Sequence, residues 1–178
     1  MPGTLPVPLI CDVPPGWQSA PPEEVGAPQA AFVALHVASR GSGFVPNITV
    51  TGRLHESGAT QPPTPTPDRL AEQSMRRLRE SVGPVTLVRR TDVGQDTVPG
   101  LARATDGVVQ NLRVHAQFDG HPVQLAQSQV LLLIEDANRS DLAAEIEIAL
   151  TARSDQLDDV LPDFQRFLRT VRPAEENE

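Results

Sequence analysis

The sequence predicts an α+β fold, an antiparallel β-sheet of about six to seven strands flanked by helices. Three observations carry this expectation. Apolar and polar residues alternate over short segments between Asn47 and Thr151, an Asp119-Gly120 pair marks a tight hairpin, and Leu157 to Val171 lays down one apolar stripe at helical spacing. With 178 residues the chain is long enough for one well-filled core. Residues 1–173 are expected to form a single domain ahead of a disordered acidic tail over 174–178.

The elements follow in order. Residues 1–28 are rich in proline, and Leu9, Ile10 and Val13 lead into Pro14-Pro15-Gly16-Trp17, an edge strand and turn in which Trp17 serves as a core or edge plug. Ala31 to Ala38 is apolar on both alternations, the pattern of a central strand with both faces covered. Gly41-Ser42-Gly43 breaks the chain. From Asn47 to Leu54, Ile48, Val50 and Leu54 face one way and Asn47, Thr49, Thr51 and Arg53 the other, as in a half-buried strand that is polar outside. A proline-stiffened loop spans residues 56–67. A helix then starts with Thr66 as cap and Pro67 in the first helical position; Leu70, Ser74, Leu78 and Val82 recur at helical spacing until Gly83-Pro84 stops it.

Val85 to Val93 is a strand, and residues 102–136 read as strands about Asp119-Gly120. A two-residue loop pairs Phe118 with His121, Ala116 with Val123 and Val114 with Leu125, which separates that apolar face from Arg113, His115, Gln117 and Gln124. Val130 to Ile134 is apolar without alternation, so this strand is bulged or central. Glu145 to Thr151 alternates again. The last helix carries Leu157, Val160, Leu161, Phe164, Phe167 and Leu168 on its stripe, with Ser154 as candidate cap. Asp155, Asp158 and Asp159 near its start and Arg169 and Arg172 near its end match the helix dipole, and Pro173 ends it.

Composition bounds the function. Only 3% of residues are aromatic and tyrosine is absent, so the core is aliphatic around five Phe and Trp17. All 15 basic residues are Arg, the codon bias of a GC-rich, actinobacterial genome. A net charge of −8 repels a phosphate backbone, which argues against a nucleic-acid partner. Arg76, Arg77, Arg79, Arg89 and Arg90 are a local basic concentration; they read as the solvated face of a helix and a strand, with a local anionic ligand as the sharper alternative. The single Cys11 excludes an internal disulfide. No run approaches the roughly 18 apolar residues of a membrane span. The N-terminus has no basic region, Pro6 and Pro8 interrupt its apolar stretch, and Pro8-Leu9-Ile10 before Cys11 lacks the small residues of a lipoprotein-processing site. The expected location is cytoplasmic as written, or envelope-associated if a leader precedes Met1.

The chemistry-bearing residues do not converge in the sequence pattern. His115 and His121 flank Asp119, but strand parity sends the two histidines to opposite faces. Asp155, Asp158, Asp159 and Asp163 lack the glycine turn of a calcium loop. No Gly-x-Ser-x-Gly elbow occurs, and Cys11, which could pair with His36 across neighbouring strands, reads better as a small buried hydrophobe. Gly41-Ser42-Gly43 leads toward a strand and offers phosphates no helix N-terminus. Asn47-Ile48-Thr49 and Asn138-Arg139-Ser140 match a glycosylation pattern by chance. No catalytic, cofactor or metal residues are assigned.

Four motifs carry a family resemblance: Val13-Pro14-Pro15-Gly16-Trp17, Val45-Pro46-Asn47-Ile48-Thr49-Val50, Phe118-Asp119-Gly120-His121-Pro122-Val123, and Leu161-Pro162-Asp163-Phe164 through Val171-Arg172-Pro173. In this order the chain resembles the actinobacterial LpqN-like family, which is similar to the PsbP-like fold. The resemblance implies an antiparallel sheet between helices, an α/β/α sandwich, used as a non-catalytic scaffold. It carries over no active-site residues, and the chain as written is expected to depart from the family's envelope lipoproteins, whose leader and lipidation site its first residues do not match.

The leading reading is therefore a non-catalytic binding or accessory protein that presents sheet and helix to a protein partner, with Trp17 and Phe44 as speculative aromatic anchors. A carrier of a lipid or other apolar small molecule is the second reading, and an uncharacterised enzyme the third. An open sheet edge would also allow a homodimer.

Overall fold

The computed structural model describes residues 6–56, 65–101, 105–135 and 141–174. The Asn138-Arg139-Ser140 pattern, most of the proline-rich loop and nearly all of the acidic tail lie outside them. The described residues form nine strands and two α-helices, the α+β architecture the sequence pattern predicts. Strands β2 (Trp17–Ser19), β3 (Phe32–His36), β4 (Asn47–Glu56), β5 (Val85–Asp92), β6 (Thr105–Phe118), β7 (His121–Glu135) and β8 (Leu142–Arg153) make one antiparallel sheet in the order β2-β3-β4-β8-β7-β6-β5. Strands β1 (Leu9–Ile10) and β9 (Arg172–Pro173) pair separately as a two-stranded sheet. Helices α1 (Pro67–Ser81) and α2 (Leu157–Thr170) pack on opposite faces of the large sheet.

Local chemistry explains the elements. Asp119 (φ 51°) and Gly120 (φ 77°) make the β6–β7 turn, and the register pairs Phe118 with His121 and Val114 with Leu125 as the two-residue loop requires. Thr66 caps α1 by accepting a hydrogen bond from the Arg69 N–H at 3.3 Å, with Pro67 next. α1 ends at Ser81, which leaves Val82 exposed and off the inward stripe. α2 starts without a side-chain cap; Ser154 instead bonds the Gln124 carbonyl, a correction to its role as cap.

Two further expectations change, and a third, that the Val130–Ile134 strand is bulged or central, resolves to the central alternative. Leu9 and Ile10 are not an edge of the main sheet, because β1 hydrogen-bonds to the chain just after α2. β3 is next to the edge, not central; both its faces are buried because Val33 and Leu35 pack under Ala20, Val25, Ala27 and Val45. β7 is unbulged opposite β6 and β8, so the unbroken apolar run at Val130–Leu133 reflects cover on both faces.

The two helices are offset diagonally. α2 covers β4, β8 and β7 through Ile48, Val50, Ile146, Ile148, Phe164 and Phe167, whereas α1 lies over β5, β6 and β7 through Leu70, Ala71 and Met75. Seven strands span about 29 Å at roughly 4.8 Å per spacing, and one helix is only about 10 Å wide. One helix cannot roof such a face. The segment around Ala27 and Ala30 fills one uncovered quadrant, over β3, and among the described residues the quadrant beside α2 over β5 and β6 stays open.

Candidate binding site

The open quadrant is a cleft of about 460 Å³. Val109 on β6 and Ser128 and Val130 on β7 form its floor, Leu161, Gln165, Leu168 and Arg169 on α2 one wall, and Thr91, Asp92, Asp96 and Thr97 the other. Alternation explains the floor: even-numbered β6 residues from Val108 to Ala116 are buried under α1, so Asn111, Arg113 and His115 necessarily point to the cleft side. Ser128 is largely buried, but its hydroxyl, which makes no hydrogen bond among the described residues, still reaches solvent. Exposed Asn111 and Gln165 add uncharged hydrogen-bonding groups, with Asp92 and Asp96 facing Arg169 at the rim. An apolar floor within a polar rim is the anatomy of a recognition surface.

The opposite face carries a buried polar seam between α1 and the sheet. Glu145, fully buried on β8, accepts a hydrogen bond from Arg53 Nη1 at 2.7 Å, and Glu147 accepts from Ser74 Oγ at 2.9 Å. Ser74 in turn accepts from Gln129 Nε2 at 3.0 Å, and Gln129 Oε1 accepts from Gln110 Nε2 at 2.7 Å. Gln129 also donates to Gln127, which reaches Thr151 at 2.8 Å. At the far end Arg90 donates to Gln110 Oε1 at 3.0 Å and to Glu72 at 2.8 Å. His55 Nε2 stands 3.5 Å from Glu145 Oε1, and neither atom has a hydrogen bond. The seam thus joins β4 to β5 across the sheet and pins α1 by polar contacts.

The two aromatic candidates lie apart. Trp17 is 7% exposed: its ring packs on His36 at 5.2 Å and its Nε1–H donates to Asp163 of α2 at 3.0 Å, so it plugs the core and offers no surface anchor. Phe44 is half-buried and tilts against Phe118 at 5.6 Å, leaving Phe118 as the more exposed ring at the hairpin tip. His36 is held by Ser39 at 2.7 Å. Burial and the neighbouring Asp12 carboxylate push the Cys11 thiol above its ordinary pKa, partly opposed by Arg172, which disfavours the nucleophilic thiolate. The β6–β7 register sends His115 and His121 to opposite faces. Of the basic concentration, Arg77 and Arg90 turn into the seam, while Arg76, Arg79 and Arg89 stay exposed. Sequence reasoning missed the seam, although Ser74 inside the apolar stripe of α1 was its signal.

A long antiparallel sheet with one helix on each face defines the class: an α+β sandwich. Among solved structures, the chain is similar to LpqN of Mycobacterium tuberculosis, a protein involved in cell envelope biogenesis, with 9% identity, a TM-score of 0.62, and coverage of 98% of this chain and 89% of that one. It also aligns with the PsbP of the cyanobacterium Synechocystis sp. PCC 6803, at 12% identity and a TM-score of 0.48, over 97% and 95% of the two chains. No protein-family profile and no curated protein sequence matches it. Among the described residues, no helix is long and apolar enough to cross a membrane.

Proposed function

We propose that this chain is a non-catalytic binding or accessory protein that uses the cleft beside α2 to hold a protein partner in the cell envelope. The observation that carries the reading is the open cleft itself, an apolar floor of Val109 and Val130 on which the Ser128 hydroxyl still reaches solvent, ringed by Asn111, Gln165 and Thr91. An apolar floor with polar groups at its edge favours an occupant that covers the floor and hydrogen-bonds to the rim. The fold shared with LpqN supports the envelope setting by analogy. The second reading, a small-molecule carrier, draws support from the cleft volume, which falls in the usual ligand range of about 300–1,000 Å³. An alkyl chain buried between α2 and the sheet fits poorly, because Phe164, Phe167, Ile146 and Ile148 fill that space.

Native mass spectrometry of the full chain isolated from its own host tests this. A retained polypeptide, lost when the exposed cleft residues are enlarged by Asn111→Trp and Gln165→Trp, is the expected result. A small-molecule adduct lost in the same variant favours the carrier. A bare chain, or an adduct indifferent to the substitutions, rejects the cleft.

A further inference from the structure

The large sheet ends on β5. Natural edges are blunted by charges or by bulges that twist them away. β5 has a bulge between Leu87 and Arg89, yet the residue it displaces is apolar Val88, 57% exposed, beside Leu87 at 39% and close after Val82 at 44%. Cations surround this strip. Glu72 on α1 reaches β5 to bond Arg90, and Arg76 and Arg79 follow Glu72 on the same flank at helical spacing. On the sheet's other face, Arg89 pairs opposite Asn111 and Arg113 opposite Thr86. All four arginines are exposed, and none makes an ion pair among the described residues. Glu80 and Asp92 are the acids nearby, one at the end of α1 and one at the end of β5. On a chain of net charge −8 this edge is a local reversal of sign.

We propose that the β5 edge receives an extended acidic segment of a partner protein, added to the sheet as a further strand. Its backbone hydrogen-bonds to β5, its apolar side chains lie on Val82, Leu87 and Val88, and its carboxylates pair with Arg76, Arg79, Arg89 and Arg113. A second copy of this chain fits worse, because two β5 edges laid together would oppose two sets of unpaired arginines. The proposal rests on the protein-partner reading and adds a surface distinct from the α2 cleft.

Short random peptides displayed on phage are selected on the full chain at low salt, then measured by fluorescence anisotropy. The comparison set is wild type, Val88→Pro, the charge reversal Arg76→Glu/Arg89→Glu, and the cleft variant Gln165→Trp, whose position on α2 is away from the β5 edge. Selected peptides should alternate acidic with β-branched residues, weaken about tenfold or more against both edge variants, and bind the cleft variant unchanged. Should Val88→Pro unfold, the reversal, made at exposed positions, carries the test alone. Neutral or basic selected sequences, equal affinity for the edge variants, or no selected peptide at all overturns the proposal. Peptides lost only with the cleft variant refute the edge and leave the partner reading standing.

Discussion

Replacing Arg53 with methionine should destabilise the fold by about 3 kcal/mol. Glu145 is fully buried, its Oε2 is 2.7 Å from Arg53 Nη1, and its Oε1 has no hydrogen-bond partner. Methionine keeps much of the arginine stem and removes the cation, leaving a buried carboxylate without its partner. Breaking a buried pair from one side costs about 3–5 kcal/mol. The lower end applies because the Arg53 side chain is 29% exposed and water already screens it.

Glu145→Leu should cost only about 1 kcal/mol, since the freed guanidinium keeps contact with solvent and with Glu147 at 3.4 Å. The double variant Arg53→Met/Glu145→Leu should lose no more than about 1 kcal/mol, because an apolar pair replaces the ionic one with both charges gone. Urea unfolding reads all three. At a slope of about 2 kcal/mol per molar, Arg53→Met lowers the midpoint by roughly 1.5 M with the slope unchanged, and the double variant recovers most of it. Additive losses, or an Arg53→Met midpoint within about 0.2 M of wild type, would show that Arg53 does not neutralise Glu145.

Three further outcomes are expected. Trp17 is the sole tryptophan and is buried, so emission should be blue-shifted in the native protein and move red on unfolding; Trp17→Phe, which loses the bond to Asp163, should cost about 1–2 kcal/mol by thermal melting. Gly107→Ala places a Cβ 2.3 Å from the Leu131 carbonyl oxygen and should cost about 2 kcal/mol or more, whereas Gly120→Ala meets no atom within 4 Å and should cost only about 1 kcal/mol for its positive φ; equal melting temperatures would contradict this. Cys11 alkylation by iodoacetamide should follow a rate–pH curve whose midpoint lies above that of an ordinary thiol, because burial penalises the thiolate, and urea should bring the midpoint down; a native midpoint below the unfolded one contradicts the assigned cause.

What was legible in the sequence was local. The Asp119-Gly120 turn alone specifies fourteen paired positions of β6 and β7, since a two-residue loop fixes register and parity propagates it. The stripes of α1 and α2 and the Thr66 cap follow from spacing in the same way. Long-range choices were not legible. Nothing near Leu9 says that it pairs with Pro173, and the pattern at Ala31–Ala38 reports two covered faces without reporting that the cover over Val33 is the chain's own segment around Ala27. The seam was hidden by the alternation rule itself, which assigns Glu145, Glu147 and Gln129 to solvent. α1 docks over those residues, and the matching hydrogen bonds of Ser74 and Gln110 make their burial tolerable.

The cleft follows from that docking. A helix held over β5–β7 by polar groups at fixed points cannot slide to balance the sheet, and α2, bound to β4 and β8 by its phenylalanines, cannot reach β5. The α2-side face of β5 and β6 is then left without a roof, and Val109 and Ser128 meet solvent there for want of a layer, not for want of apolar character. Both proposed surfaces meet on β5, where Thr91 and Asp92 line the cleft and Val88 and Arg89 form the edge. A partner segment paired along β5 would lie beside the cleft mouth and could send a second element over it, completing the layer that this chain alone leaves open.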